Sequence, residues 1–177
     1  MKELIKPNSD LYPNPVALIS SKFEDKESII TLAWVGTVCS NPPMVSISIR
    51  PSRFSYELVK KSGEFVINIP TTSIVKQTNI CGSKSGRNSD KWILCNFTRQ
   101  LSETVSVPSI AECPVNMECK VKQILSLGTH DMFVAEVTSV HKDPNWDKKE
   151  NKMIVFARGM GGSYGKVDPI LLTNEDF

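Results

Sequence analysis

Apolar residues recur at alternate positions along much of the chain. The pattern is clearest at residues 115–125. There Val115, Met117, Cys119 and Val121 fall on one side, and Asn116, Glu118, Lys120 and Lys122 on the other. A period of two puts successive side chains on opposite faces of a sheet, so this segment predicts an antiparallel strand with one face in solvent. Residues 131–140 predict its partner across a turn at Gly128. Residues 44–50 predict another strand, with Ser46 and Ser48 set against Val45, Ile47 and Ile49. Apolar runs at 16–20, 64–69 and 153–157 predict three more. Residues 29–40 form a long β-branched run and predict one continuous strand with Gly36 inside it. A glycine there marks a bulge or a close approach of backbone or ligand. Asn41-Pro-Pro43 ends the run, because prolines donate no ladder hydrogen bonds.

Helical signals are few. Ser52 can cap a short helix that packs Phe54, Tyr56 and Leu58 and stops at Gly63. Thr72 or Ser73 can open a second, ending near Gly82, with Ile74, Val75 and Ile80 as its apolar face. Residues 83–91 are polar and basic and predict an exposed loop. Six or seven strands with two or three short helices predict a mainly β fold, an antiparallel barrel closed or nearly so. A β-sandwich is the alternative. No repeat or linker divides the chain, so residues 1–177 are expected to form a single domain.

Composition agrees with the pattern. Val, Ile and Thr total 41 residues, against 16 for Leu and Ala. β-branched side chains lose rotamer freedom in helices and pack well on pleated sheet, which argues against a helical bundle. The net charge of +2 is too balanced for a nucleic-acid binder. No stretch approaches the roughly 20 apolar residues that span a bilayer, and the N-terminus lacks the apolar core of a signal peptide. Cys39, Cys81, Cys95, Cys113 and Cys119 are odd in number, with no Cys-x-x-Cys spacing. They are expected as buried or half-buried free thiols in a reducing cytoplasm. The two histidines, His130 and His141, have no cysteine at ligand spacing, so no metal site is expected.

Several chemistries lack their residues. There is no dinucleotide fingerprint, no Walker-type Gly-Lys-Ser/Thr and no Gly-x-Ser-x-Gly elbow. The run Gly159-Met-Gly161-Gly162-Ser-Tyr-Gly165 lacks the amphipathic helix that would organise a phosphate loop, and reads as a turn. Cys39 lies in a β-branched strand run, so it reads as a core residue rather than a nucleophile. Two groups suit a phosphate instead. Arg50 and Ser52 flank a helix start, where orphan N–H groups favour an anion. Ser83, Lys84, Ser85, Arg87 and Lys91 gather hydroxyls and cations sufficient for one phosphate monoester and too few for a nucleic-acid track.

An ordered set of motifs then resembles the flavin reductase-like, flavoredoxin-type family of FMN-binding split β-barrels. The set begins with Pro13-Asn-Pro-Val-Ala-Leu-Ile19, Thr31-Leu-Ala-Trp-Val-Gly-Thr-Val-Cys-Ser-Asn-Pro-Pro43 and Val45-Ser-Ile-Ser-Ile-Arg50 with Ser55-Tyr56. Gly63-Glu-Phe-Val-Ile-Asn-Ile-Pro70, Ser85-Gly-Arg87 and Asp90-Lys-Trp92 follow. Ile110-Ala-Glu-Cys-Pro-Val-Asn-Met-Glu-Cys119 and Leu127-Gly-Thr-His-Asp-Met-Phe133 complete it. The resemblance implies a non-covalent FMN near the interface of a homodimer. It implies that Thr31, Leu32, Ala33 and Trp34, with Val38, Cys39, Ser40 and Asn41, line the isoalloxazine. Arg50, Ser52 and Tyr56 would lie near the ribityl-phosphate end. Ser83, Ser85, Arg87, Lys91 and Trp92 would close over the phosphate or the dimer seam, and His130 would face the flavin as the catalytic residue. The cofactor accepts the hydride, so no protein nucleophile is required. The implied activity is hydride transfer from NAD(P)H to flavin, with electrons passed to a flavin, a ferric complex or a redox partner protein. The alternatives are an electron carrier reduced by a partner, without its own nicotinamide site, and a flavin-storage barrel. The segment 153–177 resembles family C-termini only loosely, and such segments cover the nicotinamide pocket in the family.

Overall fold

The β-branched runs become strands that share one interior. The computed structural model describes residues 2–9, 11–146, 153–158 and 163–166. After the short β1 (Asn14–Pro15) come β2 (Ala17–Phe23), β3 (Lys26–Leu32), β4 (Val35–Ser40) and β5 (Pro43–Ile49). Helix α1 (Phe54–Ser62) leads into β6 (Glu64–Ile69), and a 3₁₀ turn (Thr72–Ile74) runs into α2 (Val75–Ser83). Then follow α3 (Lys91–Leu94), β7 (Arg99–Gln100), β8 (Ser109–Ile110), β9 (Val115–Ser126), β10 (Asp131–Lys142), β11 (Ile154–Arg158) and β12 (Ser163–Lys166). Among the described residues no helix is long and apolar enough to cross a membrane.

Seven strands form one sheet in the order β3-β2-β6-β9-β10-β5-β4, and every pairing is antiparallel. The two edge strands, β3 and β4, are consecutive in sequence and separated only by Ala33 and Trp34. Two residues cannot bridge the width of an open sheet, so the sheet must curl until its edges meet. The Ser48 N–H donates to the Trp34 carbonyl (3.0 Å), which extends the β4–β5 ladder into this two-residue link. This geometry corrects the single strand expected at 29–40. The segment 31–36 carries no turn residue except Gly36, so nothing local marks the step from one edge to the other.

Alternate residues of all the barrel strands except edge strand β4 supply the fully buried interior cluster: Ala17, Ile19, Ile30, Val45, Ile47, Ile49, Phe65, Ile67, Cys119, Phe133 and Ala135. Helix α1 adds Tyr56 and Val59 to the same cluster. One continuous sheet wrapped around one interior, with consecutive strands at its two edges, is the mark of a barrel rather than a two-sheet sandwich. Arg53, not Ser52, is the N-cap of α1 and makes no side-chain cap hydrogen bond. Gly63 ends the helix at φ 70°, and its N–H donates to the Val59 carbonyl, a left-handed cap that suits glycine.

The outer face of β2 and β3 is also covered. Leu18 and Ile29 pack with Ile74, Cys81, Trp92, Cys95, Phe97, Ile110 and Cys113 under α2 and α3. Outside β6, Val66 packs on Val105 and Val107. This covering corrects the solvated face expected on β9. Asn116 is buried against the Asn68 amide and the Ile110 carbonyl. Glu118 is buried under residues 103 and 104. Only Lys120 and Lys122 of that face remain outside the core. The strand expected at 153–157 is β11, which pairs with β1 and β12 in a separate small sheet. The turn expected at Gly159–Gly165 falls largely outside the described residues, as does 167–177.

Candidate functional site

Three cavities near the barrel seam adjoin one another through shared lining residues. The first, of about 80 Å³, lies where the start of α1 meets the end of α2. Ser28 and Ile30 of β3 form its floor, Ser52 to Ser55 one wall, and Gly82, Lys84 to Arg87 and Lys91 the other. The N-terminal turn of α1 faces this space without a side-chain cap, which suits an anion.

Lys91 gives the cavity its character. It was expected on an exposed loop but is only 4% exposed. Its Nζ donates to the carbonyls of Ile29 (2.7 Å) and Cys81 (2.8 Å), leaving one ammonium hydrogen beyond these two bonds. No carboxylate pairs with it among the described residues. Burial lowers its pKa, as expected of a cation with little compensating charge. Among the described residues the buried Ser28 hydroxyl has no hydrogen-bond partner. A lone buried cation, an orphan hydroxyl and a helix N-terminus around one cavity fit an anion with several acceptor oxygens, such as a phosphate.

Gly86 keeps the cavity open by lacking a side chain. A Cβ there would lie 2.9 Å from Phe54 Cδ1 and closer still to Ser28 Oγ. Gly86→Ala is therefore expected to lower stability by about 1–3 kcal/mol through overpacking. A denaturant midpoint equal to that of the parent protein would refute this packing.

The second cavity, of about 130 Å³, shares Ile30, Arg53 and Gly82 with the first. Thr31, Leu32, Ser48, Ile49, Arg50 and His130 complete it. The His130 ring lies 4.3 Å from the Trp34 ring at 47°. Burial, and then the charges of Arg50 and Arg53, hold the His130 pKa below the ordinary histidine value. The imidazole is thus neutral at pH 7, with one donor and one acceptor nitrogen. Trp34 also borders the third cavity, of about 310 Å³, with Leu11, Ala33, Val35, Gly36 and Met132. The indole is 45% exposed, so it is a surface wall rather than a core side chain. A small polar cavity, a middle one lined by Arg50 and His130, and a larger one beside the indole adjoin through shared lining residues and together make a groove.

The groove gathers Thr31, Leu32, Ala33, Trp34, Arg50, Ser52, Ser85, Arg87, Lys91 and His130. The other residues expected at the site lie elsewhere. Val38, Cys39, Ser40 and Asn41 sit further along β4 and its turn, beyond these cavities. Tyr56 is inside the barrel, where its hydroxyl donates to Asp131 Oδ2 (2.7 Å). Ser83 turns back to the Ile80 carbonyl. Trp92 is in the outer cluster, with the Arg99 guanidinium 4.7 Å from its ring centroid. Arg87 lines the cavity, but its charge is spent on Glu57 (2.8 Å) and the Ser52 carbonyl (2.9 Å), so it straps the loop to α1. Ser28, Arg53, Ser55, Gly82 and Gly86 also line the groove, and of these only Ser55 and Gly86 fall within the family-like motifs of the sequence.

Comparison with known proteins gives the same picture. Residues 9–164 match the flavin reductase like domain. A protein of Archaeoglobus fulgidus is 34% identical over 165 residues, covering 93% of this chain and 92% of its own. The flavoredoxin of Desulfovibrio vulgaris (Miyazaki F) superposes with a TM-score of 0.88 at 27% identity, over 98% of this chain and 97% of its own. The flavoredoxin of Methanosarcina acetivorans superposes with a TM-score of 0.86 at 30% identity, over 98% and 96%. A match of this extent in sequence, joined to a split barrel with a groove along its seam, makes the chain a member of the flavin reductase-like domain family.

Proposed function

We propose that this protein holds FMN non-covalently in the seam groove and is an oxidoreductase that takes hydride from NAD(P)H and passes the electrons on. The observation that carries the reading is the buried Lys91 ammonium beside the orphan Ser28 hydroxyl, at the closed end of a groove that opens beside Trp34 and His130. Lys91, Ser28, Ser55 and the first turn of α1 would hold the phosphate. Arg53 and Gly82 line the passage to the middle of the groove, and Trp34 and His130 would border the ring. When bound, FMN supplies a centre that accepts a hydride and releases electrons, so this chain need only bind and orient it. Neutral His130 can donate or accept one hydrogen bond there without adding charge. Leu11 and Trp34 border the open end of the groove and are exposed, which supports a homodimer with the ring at the seam.

The flavoredoxin likeness favours a second reading, an electron carrier reduced by a partner protein. Anaerobic stopped-flow mixing of FMN-loaded protein with NADH and NADPH separately decides between them. Rapid bleaching by either nucleotide supports the reductase. Bleaching by dithionite alone supports the carrier, and failure to take up FMN sinks both. His130→Ala is expected to slow reduction by about fivefold, the worth of one neutral hydrogen bond, with a smaller change in FMN affinity. Equal losses in both would remove His130 from the reaction.

A further inference from the structure

We propose that Cys81 and Cys95 form a dithiol that a small peroxide oxidises to a disulfide, closing the base of the anion-binding loop. Their sulfurs are 3.7 Å apart, in contact within the buried cluster outside β2 and β3. The two residues are 14 positions apart, one near the end of α2 and the other just past α3. The chain between them contributes Gly82, Lys84, Ser85, Gly86, Arg87 and Lys91 to the phosphate-sized cavity. Lys91 is tied directly to this base, since its Nζ donates to the Cys81 carbonyl. Beyond that tie, the loop is strapped to the body of the protein by the bond from Lys91 to the Ile29 carbonyl and by the exposed Arg87 bridge. A covalent link at its base would therefore fix the segment on which the cavity depends.

The other thiols are placed differently. Cys39 is half-exposed and contacts the Asn41 carbonyl, and Cys119 lies in the barrel interior. Cys113 shares the outer cluster, so the test must distinguish it from Cys95.

The reaction balances with hydrogen peroxide as the oxidant. One thiol attacks the peroxide, the O–O bond breaks, and a sulfenic acid and water form. The second thiol displaces the sulfenic hydroxyl as water, leaving the S–S bond. Two thiols and one peroxide thus give one disulfide and two waters. Burial raises the pKa of both thiols, so closure is slow and suits a lasting staple rather than an exchange catalyst. Reduced flavin and dioxygen generate peroxide, so the link to cofactor retention rests on the proposed flavin reading.

The test treats the FMN-loaded protein, freed of reductant, with hydrogen peroxide. It is then quenched in acid, denatured, alkylated and weighed. The expected product is two hydrogens lighter, with alkylatable thiols reduced by two from the five free cysteines, and peptides 81 and 95 joined. Cys113→Ser should still cross-link, and Cys95→Ser should not. The cross-linked protein should release FMN about threefold to tenfold more slowly, the worth of one or two loop side chains held in order. Cys95→Ser should release FMN at one rate with or without peroxide. Retention of every thiol, oxygen added to the sulfurs, or a link through Cys113 would overturn the dithiol. Unchanged FMN release from cross-linked protein would overturn its link to the cofactor. The mass measurement needs no flavin, so a protein that took up no FMN would fail the flavin reading while the dithiol was still decided.

Discussion

Lys91→Met should weaken FMN binding by about 1.5–3 kcal/mol, the range for a hydrogen bond to a charged group, or roughly tenfold to 150-fold. Riboflavin, which lacks the phosphate, should bind the variant nearly as well as it binds the parent. The comparison isolates the phosphate, because the loss of the Ile29 and Cys81 carbonyl contacts affects both ligands alike. If the affinity ratio of FMN to riboflavin stays at the parent value, Lys91 is a structural cation and does not hold the phosphate.

The same residue gives a pH signature. Burial lowers the folded pKa of Lys91, so in the alkaline range the unfolded chain binds more protons there than the empty fold. The stability of the empty protein should therefore rise with pH through that window. A bound phosphate favours the ammonium, so FMN binding should take up a proton there, and FMN affinity should fall as pH rises. Lys91→Met should lose both trends. Fluorescence titration and urea unfolding at neutral and alkaline pH read them.

Much of the architecture was legible because local pattern and final environment agree. The alternation of β9 and β5 survives in the barrel interior, and Gly63 and Gly128 stand in turns at positive φ. The failures share a cause, which is a partner distant in sequence. Ala33 and Trp34 join the two edges of the sheet, and the meeting of those edges is fixed by strands up to β10 rather than by their neighbours. Asn116 and Glu118 alternate as surface residues do, but segments 101–110 fold over them. The cluster at 83–91 is one set of cations and hydroxyls in the sequence, and the structure divides it. Arg87 is neutralised by Glu57, Ser83 bonds within its own helix, and Lys91 is drawn inside by two backbone carbonyls. Carbonyls are present at every residue, so no side-chain pattern announces which of them will hold a lysine. Ser28 was illegible for the same reason. Its significance lies in having no partner, which only the packed structure reveals.

The largest loss of stability is expected at Glu118. Its carboxylate is fully buried. It accepts hydrogen bonds from the backbone N–H of Glu103 (2.9 Å) and of Thr104 (2.6 Å), from the Thr104 hydroxyl (2.6 Å) and from His141 Nε2 (2.8 Å). Glu118→Ala removes the acceptor of these hydrogen bonds, whose donors lie on the exposed Glu103 and the half-buried Thr104 and His141, so it should cost about 1.5–3 kcal/mol, the range for hydrogen bonding to a charged group. The loop it anchors also carries Val105 and Val107 onto Val66, so their burial should be weakened as well. None of these residues borders the groove, so the folded fraction should keep its FMN affinity. Acid separates the carboxylate's charge from its shape. Burial alone would raise its pKa, but the Thr104 hydroxyl, the two backbone N–H groups and His141 outweigh it and hold the pKa at about 2. A carboxyl depressed on folding contributes stability above its ordinary pKa of 4.5, and that stability fades as pH falls towards about 2. Glu118→Gln keeps the volume and one acceptor oxygen but cannot titrate. Its urea midpoint should start lower at neutral pH and fall less steeply between 4.5 and about 2 than that of the parent. Parallel acid profiles for the two proteins would mean that the depressed pKa does not govern this window.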